Sequence, residues 1–252
     1  MSTPSLSGKT ALITGASRGL GRAIALAFAA AGARLALVAR DQAKLVETAA
    51  AVRALGAEAE VFVTDVTSET QVQQLEKDFT ARCGQLHILV NNAGINIRRP
   101  LTDFTLAEWN QVMDTNLTSV FLMCRAFVPR LKGQGYGRII NMTSMLSHIA
   151  LPQRGAYCAS KAGLLGLTKV LALELASEHI TVNGISPGPF ATEINQVILQ
   201  SPELSQQFLA KIPQGRFGEV QDIGQVALFL CSDAASFMTG SDMVIDGGWC
   251  AQ

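Results

Sequence analysis

The sequence predicts an α/β fold, a doubly wound sheet of about seven parallel strands with helices on both faces, in a single domain. Three observations point there. Short apolar runs alternate along the whole chain with longer segments in which apolar residues return every three or four positions. A glycine-rich turn joins the first apolar run to the first helical segment. No linker, repeat or low-complexity stretch divides the 252 residues, so 1–252 read as one unit.

The elements follow in order. Residues 9–14 (KTALIT) form a short apolar run that ends in glycine, as a buried parallel strand does. Residues 19–31 carry Leu20, Ile24, Leu26, Ala27 and Phe28 at helical spacing, and 34–39 (RLALVA) form a second strand. Asp41 can cap a helix over 44–55 that stops at Gly56. A strand over 59–66 leads to Ser68 and Gln71, at capping-box spacing, and a helix to about Cys83. Residues 87–90 (HILV) are the fourth strand. Thr105 and Glu108 open a helix to about Asp114, and the pattern resumes from Asn116 towards Leu131, where Pro129 and Gly133 close it. Strands over 138–143 and 180–186 flank a long helix over 157–178. Residues 187–217, rich in Pro and Gly, read as irregular with one or two short helices, then a helix over 219–231 and a strand over 243–246.

Composition narrows the function classes. Apolar residues make up 48% and charged residues 16%, with a mean hydropathy of +0.27, which describes a well-filled core. Twenty basic and twenty acidic residues cancel, so no nucleic-acid or anionic-membrane surface is expected. The five cysteines are scattered without a CxxC pair, which argues against a zinc site or a disulfide framework. The polar start (MSTPSLSGKT) lacks a signal pattern, and no run reaches 18 apolar residues. A cytoplasmic protein with no metal is expected.

Two motifs carry chemistry. Thr14-Gly15-Ala16-Ser17-Arg18-Gly19-Leu20-Gly21 (TGxxxGxG) lies at the first strand-to-helix turn, where glycines let the backbone approach a pyrophosphate placed at a helix N-terminus. Tyr157 and Lys161 stand four apart at the front of the long helix, so they share a face. A phenol ionises near pKa ~10, and bringing it to ~7 takes roughly 4 kcal/mol. A cation about 4 Å away, at an effective dielectric of ~20, supplies about that much. The pair can thus serve as an acid or base at neutral pH, although by itself it also fits an ordinary surface Tyr beside a surface Lys.

With TGxxxGxG and YxxxK stand Asn91-Asn92-Ala93-Gly94 after the fourth strand, Asn116, Ser144 thirteen residues before Tyr157, and Pro187-Gly188 with Thr192 after the sixth strand. Together, and in this order, these motifs resemble the short-chain dehydrogenase/reductase family over essentially the whole chain. The resemblance implies a Rossmann-type domain that moves a hydride between a nicotinamide cofactor and a carbonyl or secondary alcohol. It casts Tyr157 as proton donor and acceptor, and Ser144 as hydrogen-bond partner of the substrate oxygen. Lys161 would lower the Tyr157 pKa and hold the ribose hydroxyls, and Asn116 would fix a water linking Lys161 to solvent. Gly15, Ser17, Arg18, Gly19, Leu20 and Gly21 would cradle the cofactor. Asn92, Ala93 and Gly94 would leave room beside the adenosine ribose, with Asp65 on the adenine and Val66 giving a backbone contact. Pro187, Gly188, Phe190 and Thr192 would clasp the carboxamide, Phe190 standing where an aliphatic residue is usual.

The second strand ends at Ala39 rather than at a carboxylate, and Arg40 and Arg18 suit a 2′-phosphate, so NADP is expected over NAD. One residue of slip would instead make Asp41 a ribose acceptor; its other role is as a helix cap. Residues 95–103, 145–155 and 189–217 should line the substrate cleft, the last as a substrate lobe, and they carry Asn96, Arg98, Arg99, His148, Gln153 and Arg154. His148 and Arg154, with Ser144 and Tyr157, are the expected substrate contacts, able to receive a carboxylate or polyol. Within the family the similarity leans towards reductases of 5-keto-gluconate, glucose-type dehydrogenases and 3-oxoacyl-carrier-protein reductases. The substrate is expected to be a keto-sugar acid, a sugar or another small ketone, the alternative being an oxoacyl thioester. Reductases of acyl carriers usually show a basic patch beside the cleft, and the sequence does not establish Arg98, Arg99, Lys132 and Arg138 as one. A non-catalytic nucleotide sensor or scaffold would be expected to lack Tyr157 or Lys161, and both are present. The small residues Gly163 and Gly166 on the Tyr157 helix, with Leu164 and Leu167, and the end of the chain with Trp249, exposed unless covered, suggest two interfaces; the family resemblance implies a homotetramer.

Overall fold

The computed structural model describes residues 5–192 and 195–252. Seven strands form one sheet: β1 (Thr10–Thr14), β2 (Arg34–Ala39), β3 (Ala59–Val63), β4 (Ile88–Asn91), β5 (Gly137–Met142), β6 (Ile180–Pro187) and β7 (Asp242–Ile245). Their order is β3-β2-β1-β4-β5-β6-β7, and every neighbouring pair is parallel. The order reverses between β1 and β4, and such a switch point opens a crevice beyond the carboxyl ends of the strands.

The helices are α1 (Gly19–Ala30), α2 (Gln42–Ala54), α3 (Glu69–Cys83), α4 (Leu106–Met113), α5 (Ser119–Leu131), α6 (Gly155–Leu175), α7 (Gln196–Leu199), α8 (Pro202–Leu209) and α9 (Val220–Cys231). Strand alternation sorts the apolar side chains into two cores. Ala11, Ile13, Leu35, Leu37, Ile88 and Val90 pack against Ile24 and Phe28 of α1, Leu45 of α2 and Ile223 of α9. Leu12, Val38, Leu89 and Ile139 face the other way, onto Leu75 and Phe79 of α3, Phe127 of α5 and Leu164 of α6. A sheet buried on both faces requires apolar residues at successive positions, which is why these strands read as continuous runs.

The predicted caps form where the chain turns into helices. Asp41 Oδ1 accepts from Lys44 N, and Thr105 and Glu108 make a complete capping box. Ser68 caps α3, but Gln71 Oε1 accepts from Asp65 N instead of returning to Ser68. Pro129 lies within α5, whose last residue is Leu131. The break in helical pattern at 114–116 is a π-helical turn, Asp114–Thr118, with Asn116 inside it; such turns often mark functional sites. The segment expected to be irregular carries α7 and α8. Trp249 needs no partner subunit to cover it: it packs with Met145, Leu146 and Ile212, its ring 5.4 Å from that of Phe208.

Candidate active site

A cavity of about 600 Å³ runs along the carboxyl ends of the strands, from the turn after β1 to the start of α6 and the segment after β6. Gly15, Ser17, Arg18, Gly19 and Leu20 line one end. Gly15 has φ +65°, and a Cβ there would lie 2.8 Å from Asn92 Nδ2 and 3.0 Å from Ala93 Cα, so only glycine fits. Asn92 in turn fixes this loop, with Nδ2 donating to Thr14 O at 2.9 Å and to Gly15 O at 3.2 Å. Thr14 Oγ1 accepts from Asn92 N and Ala93 N, at 2.9 and 3.1 Å. Gly21 departs from its expected role. It does not line the cavity; a Cβ at this position would meet Gly15 O and Asn92 Nδ2 at 2.4 Å, so its bareness lets α1 pack under the loop. α1 begins without a capping side chain or an acidic residue in its first turn, which leaves N–H donors and the positive end of the helix dipole for an anion.

Beyond the loop, Ala39, Arg40, Asp41, Asp65 and Val66 line the wall. Asp41 is engaged as the cap of α2. Asp65 Oδ1 accepts from Thr67 N at 3.0 Å and from Thr67 Oγ1 at 2.8 Å. Although burial pushes its carboxyl up, those bonds and the Arg40 guanidinium, 3.8 Å from Oδ2, hold it below the usual range.

At the other end Ser144, Tyr157 and Lys161 share the wall. The Ser144 side chain acts on the Tyr157 phenol, drawing its pKa down, and its hydroxyl accepts from Leu146 N at 3.1 Å. Lys161 is buried, donates from Nζ to Met142 O at 2.5 Å and lies 5.7 Å from the Tyr157 ring centre. Burial brings its amine down to about 8. The expectation that Lys161 draws Tyr157 towards neutrality is not met in this arrangement. Burial is the largest influence on the phenol and raises it, and Ser144 only partly offsets this.

Asn116 sits beneath the cavity and is fully buried. Its Nδ2 donates to Ile95 O at 2.9 Å and to Ser160 Oγ at 3.0 Å, while Oδ1 accepts from Ile95 N at 2.8 Å. Both amide hydrogens are taken, which leaves one lone pair of Oδ1 for a further partner. A Cβ on Gly94 would come 3.3 Å from Asn116 Oδ1 and 3.6 Å from Lys161 Nζ, so the two polar groups converge below Gly94.

Pro187, Gly188, Phe190 and Thr192 line the same cavity, as does Arg154. Arg98 Nη2 donates to Asn195 Oδ1 at 3.1 Å. Burial first, and then the neighbouring Arg98, lower the Arg154 guanidinium to about 10. His148 is a correction: it is outside the lining, and its Nε2 pairs with Asp242 Oδ2 at 2.5 Å because the turn after Ser144 directs it towards β7. Arg99 is turned to Glu108, 3.0 Å away. Sequence reasoning missed Thr14 as the clamp of the loop, although it stands in the quoted motif. Asn195, Ile198 and Phe208 are on the lining, within the segment 189–217 expected to form the cleft, although sequence reasoning did not single them out. Among the described residues no group of three or more His, Cys, Asp or Glu could hold a metal ion, and no helix is long and apolar enough to cross a membrane.

Comparison with known proteins places the chain among dinucleotide enzymes. A family profile described as enoyl-(acyl carrier protein) reductase matches residues 15–250. D-threitol dehydrogenase of Mycolicibacterium smegmatis is 39% identical over 244 residues, covering 97% of this chain and 94% of its own. A short-chain type dehydrogenase/reductase from Mycobacterium marinum superposes with a TM-score of 0.92 at 41% identity, over 97% of this chain and 96% of that one. A gluconate 5-dehydrogenase from Burkholderia cenocepacia, in complex with NADP and tartrate, gives 0.93 at 36% identity, over 98% and 97%.

The buried amine of Lys161 should weaken the fold. Below about pH 8 the folded and unfolded chains both hold its proton, and the folded state bears the cost of the buried charge. From there towards 10.5 the unfolded chain binds the proton and the folded one does not, so stability rises with pH. Lys161→Met should therefore raise unfolding stability at pH 7 by about 1–3 kcal/mol and flatten the rise between pH 8 and 10 in denaturant titrations.

Proposed function

The chain belongs to the short-chain dehydrogenase/reductase family and is an oxidoreductase, and from that premise we propose that it moves a hydride between NADP(H) and the carbonyl or secondary alcohol of a small polar substrate. The observation that carries this reading is the meeting of Ser144, Tyr157 and Lys161 on the wall of a cavity that continues past the glycine loop to Arg40. The loop fits a dinucleotide: its close approach at Gly15, the uncapped N-terminus of α1 and the bare Gly94 all leave room and donors for one. Arg18 and Arg40 would hold the 2′-phosphate, and Lys161 the ribose hydroxyls. The bound cofactor supplies or accepts the hydride.

The remaining steps belong to the chain. Reduction leaves an alkoxide, and Tyr157 gives it a proton. Burial keeps the phenol protonated across neutral pH, which suits an acid. Ser144, on the same wall as that phenol, places the carbonyl oxygen within reach of the same proton and stabilises the charge that develops there. In the oxidative direction the phenol must give up its proton first, so oxidation gains from alkaline pH.

For the substrate we favour a keto-sugar acid or sugar. Arg154 is a half-buried cation on the wall near Tyr157, suited to a carboxylate. Asn96 Oδ1 is buried without a hydrogen-bond partner among the described residues, an acceptor for a substrate hydroxyl. The other reading, a 3-oxoacyl-thioester reductase, calls for a basic patch beside the cleft, and of Arg98, Arg99, Lys132 and Arg138 only Arg98 lines the cavity. Arg99 pairs with Glu108 and Lys132 with Glu178, while Arg138 is buried at the amino end of β5 against Tyr136. We further assign the protein to the cytoplasm, in keeping with its five free thiols. We assign it to a homotetramer as well, since Leu106, Phe121, Val170 and Leu173 leave apolar surface on α4, α5 and α6, and Phe229 and Val244 do so on α9 and β7.

Consumption of NADPH should appear with at least one class in a screen of keto-sugar acids, keto-sugars, diketones and oxoacyl thioesters. It should fall at least ~10³-fold in Tyr157→Phe while cofactor binding persists; an inert wild-type protein across that panel would count against the reading. Arg40→Ala should weaken NADPH binding about 10–100-fold and leave NADH binding unchanged by fluorescence titration. Light scattering at micromolar concentration should give four times the chain mass, and a monomer would sink the tetramer.

A further inference from the structure

We propose that Asp242 and His148 are positioning residues that hold the Ser144 turn from strand β7, an inference that rests on the role given to Ser144 above. Asp242 opens β7, and its side chain is only 6% exposed. Its Oδ1 lies 2.6 Å from Thr143 Oγ1, on the residue directly before Ser144. Its Oδ2 lies 2.5 Å from His148 Nε2, four residues after Ser144, and 2.6 Å from Ser186 Oγ on β6. One carboxylate thus grips both flanks of the serine turn. Ser186 underlies the same turn: its one hydroxyl proton goes to Asp242 Oδ2 or, in the alternative rotamer of the hydroxyl, to Ser144 O 2.9 Å away. Space for the carboxylate depends on Gly184: a Cβ there would sit 2.1 Å from Asp242 Oδ1.

The arrangement exceeds what packing needs. β7 is an edge strand, joined to β6 by the ladder from Gly184↔Asp242 to Pro187↔Ile245, which sets its register without any side chain. A nearly buried carboxylate is costly unless donors surround it, and here two hydroxyls and an imidazole do so, all on segments that flank or underlie Ser144. The effect falls on geometry. The Ser144 hydroxyl has to meet both the phenol and the reacting oxygen, and a displacement of ~1 Å at such a group can cost about 100-fold in rate.

The test uses the full-length protein and the ketone found in the NADPH screen. Asp242→Ala should lower kcat about 10–100-fold, shift the ketone KM less than about threefold, and leave NADPH affinity by fluorescence unchanged. His148→Ala should lower kcat in the same sense, and His148→Gln, which keeps a donor, should restore most of it. In a Ser144→Ala background the Asp242→Ala change should cost less than about twofold, because there is no hydroxyl left to place. Equal losses in both backgrounds, or an undiminished kcat, would overturn the proposal. Amide hydrogen exchange supplies a readout that needs no turnover: residues 143–148 should lose protection in Asp242→Ala while the glycine loop keeps its own. Unchanged protection would also overturn it. Should Asp242→Ala fail to fold, the His148 pair carries the same kinetic and exchange tests. A wild-type protein inert on every ketone would remove the reaction, not the anchoring of the turn, and exchange would still decide the latter.

Discussion

The hold of Thr14 and Asn92 on one another is the contact from which the rest of the cleft is laid out. β1 and β4 run side by side in register, so Thr14 at the end of one meets the Asn92 turn at the end of the other. The backbone polar groups left over where the two strands diverge are thereby satisfied without filling the crevice between them. Because all seven strands are parallel, their carboxyl ends share one rim, and the loops after β1, β2, β3, β4, β5 and β6 all open onto it. The glycine loop can then come close to the Asn92 turn, and it can do so only because Gly15 and Gly21 carry no side chains.

The same rim gathers polar groups that the fold would be more stable without. Lys161 is buried with a single hydrogen-bond partner, Asn116 is buried with its amide hydrogens both bonded, and Ser144 is buried as well. Helix α6 carries Tyr157 and Lys161 to the wall, while the π turn at Asp114–Thr118 swings Asn116 inward below Gly94. Each of these features trades local stability for the placement of a charge or a proton, as functional sites commonly do. The two large cores on either side of the sheet supply the burial that offsets that cost.

A further stretch of the cavity wall is built from a different part of the molecule. Arg154 and Asn96 stand on loops that follow β5 and β4, and Asn195, Ile198 and Phe208 come from the segment between β6 and α9. That segment lines the cavity and, apart from Phe190, which is buried with the first core, its side chains there stand outside the two cores of the sheet. Membership of the family fixes the broad reaction type, that of an oxidoreductase.

The alternation of apolar runs and amphipathic segments determined the parallel sheet with its helix layers, since burial on both faces leaves a strand few polar positions. Fixed spacings within one element or one turn were equally legible: the glycine loop, the Thr105–Glu108 box, and Tyr157 with Lys161 one helical turn apart. Tertiary structure decided what depends on distance across elements. It set Gly21 to packing rather than to the cavity wall and covered Trp249 from within the chain. It turned His148 away to Asp242, ninety-four positions along the chain. It also raised the Tyr157 phenol where the helical spacing alone had implied that Lys161 would lower it. Spacing along a chain specifies which groups can meet, but burial and the approach of distant strands set the energy of that meeting, and neither is written in any single stretch of sequence.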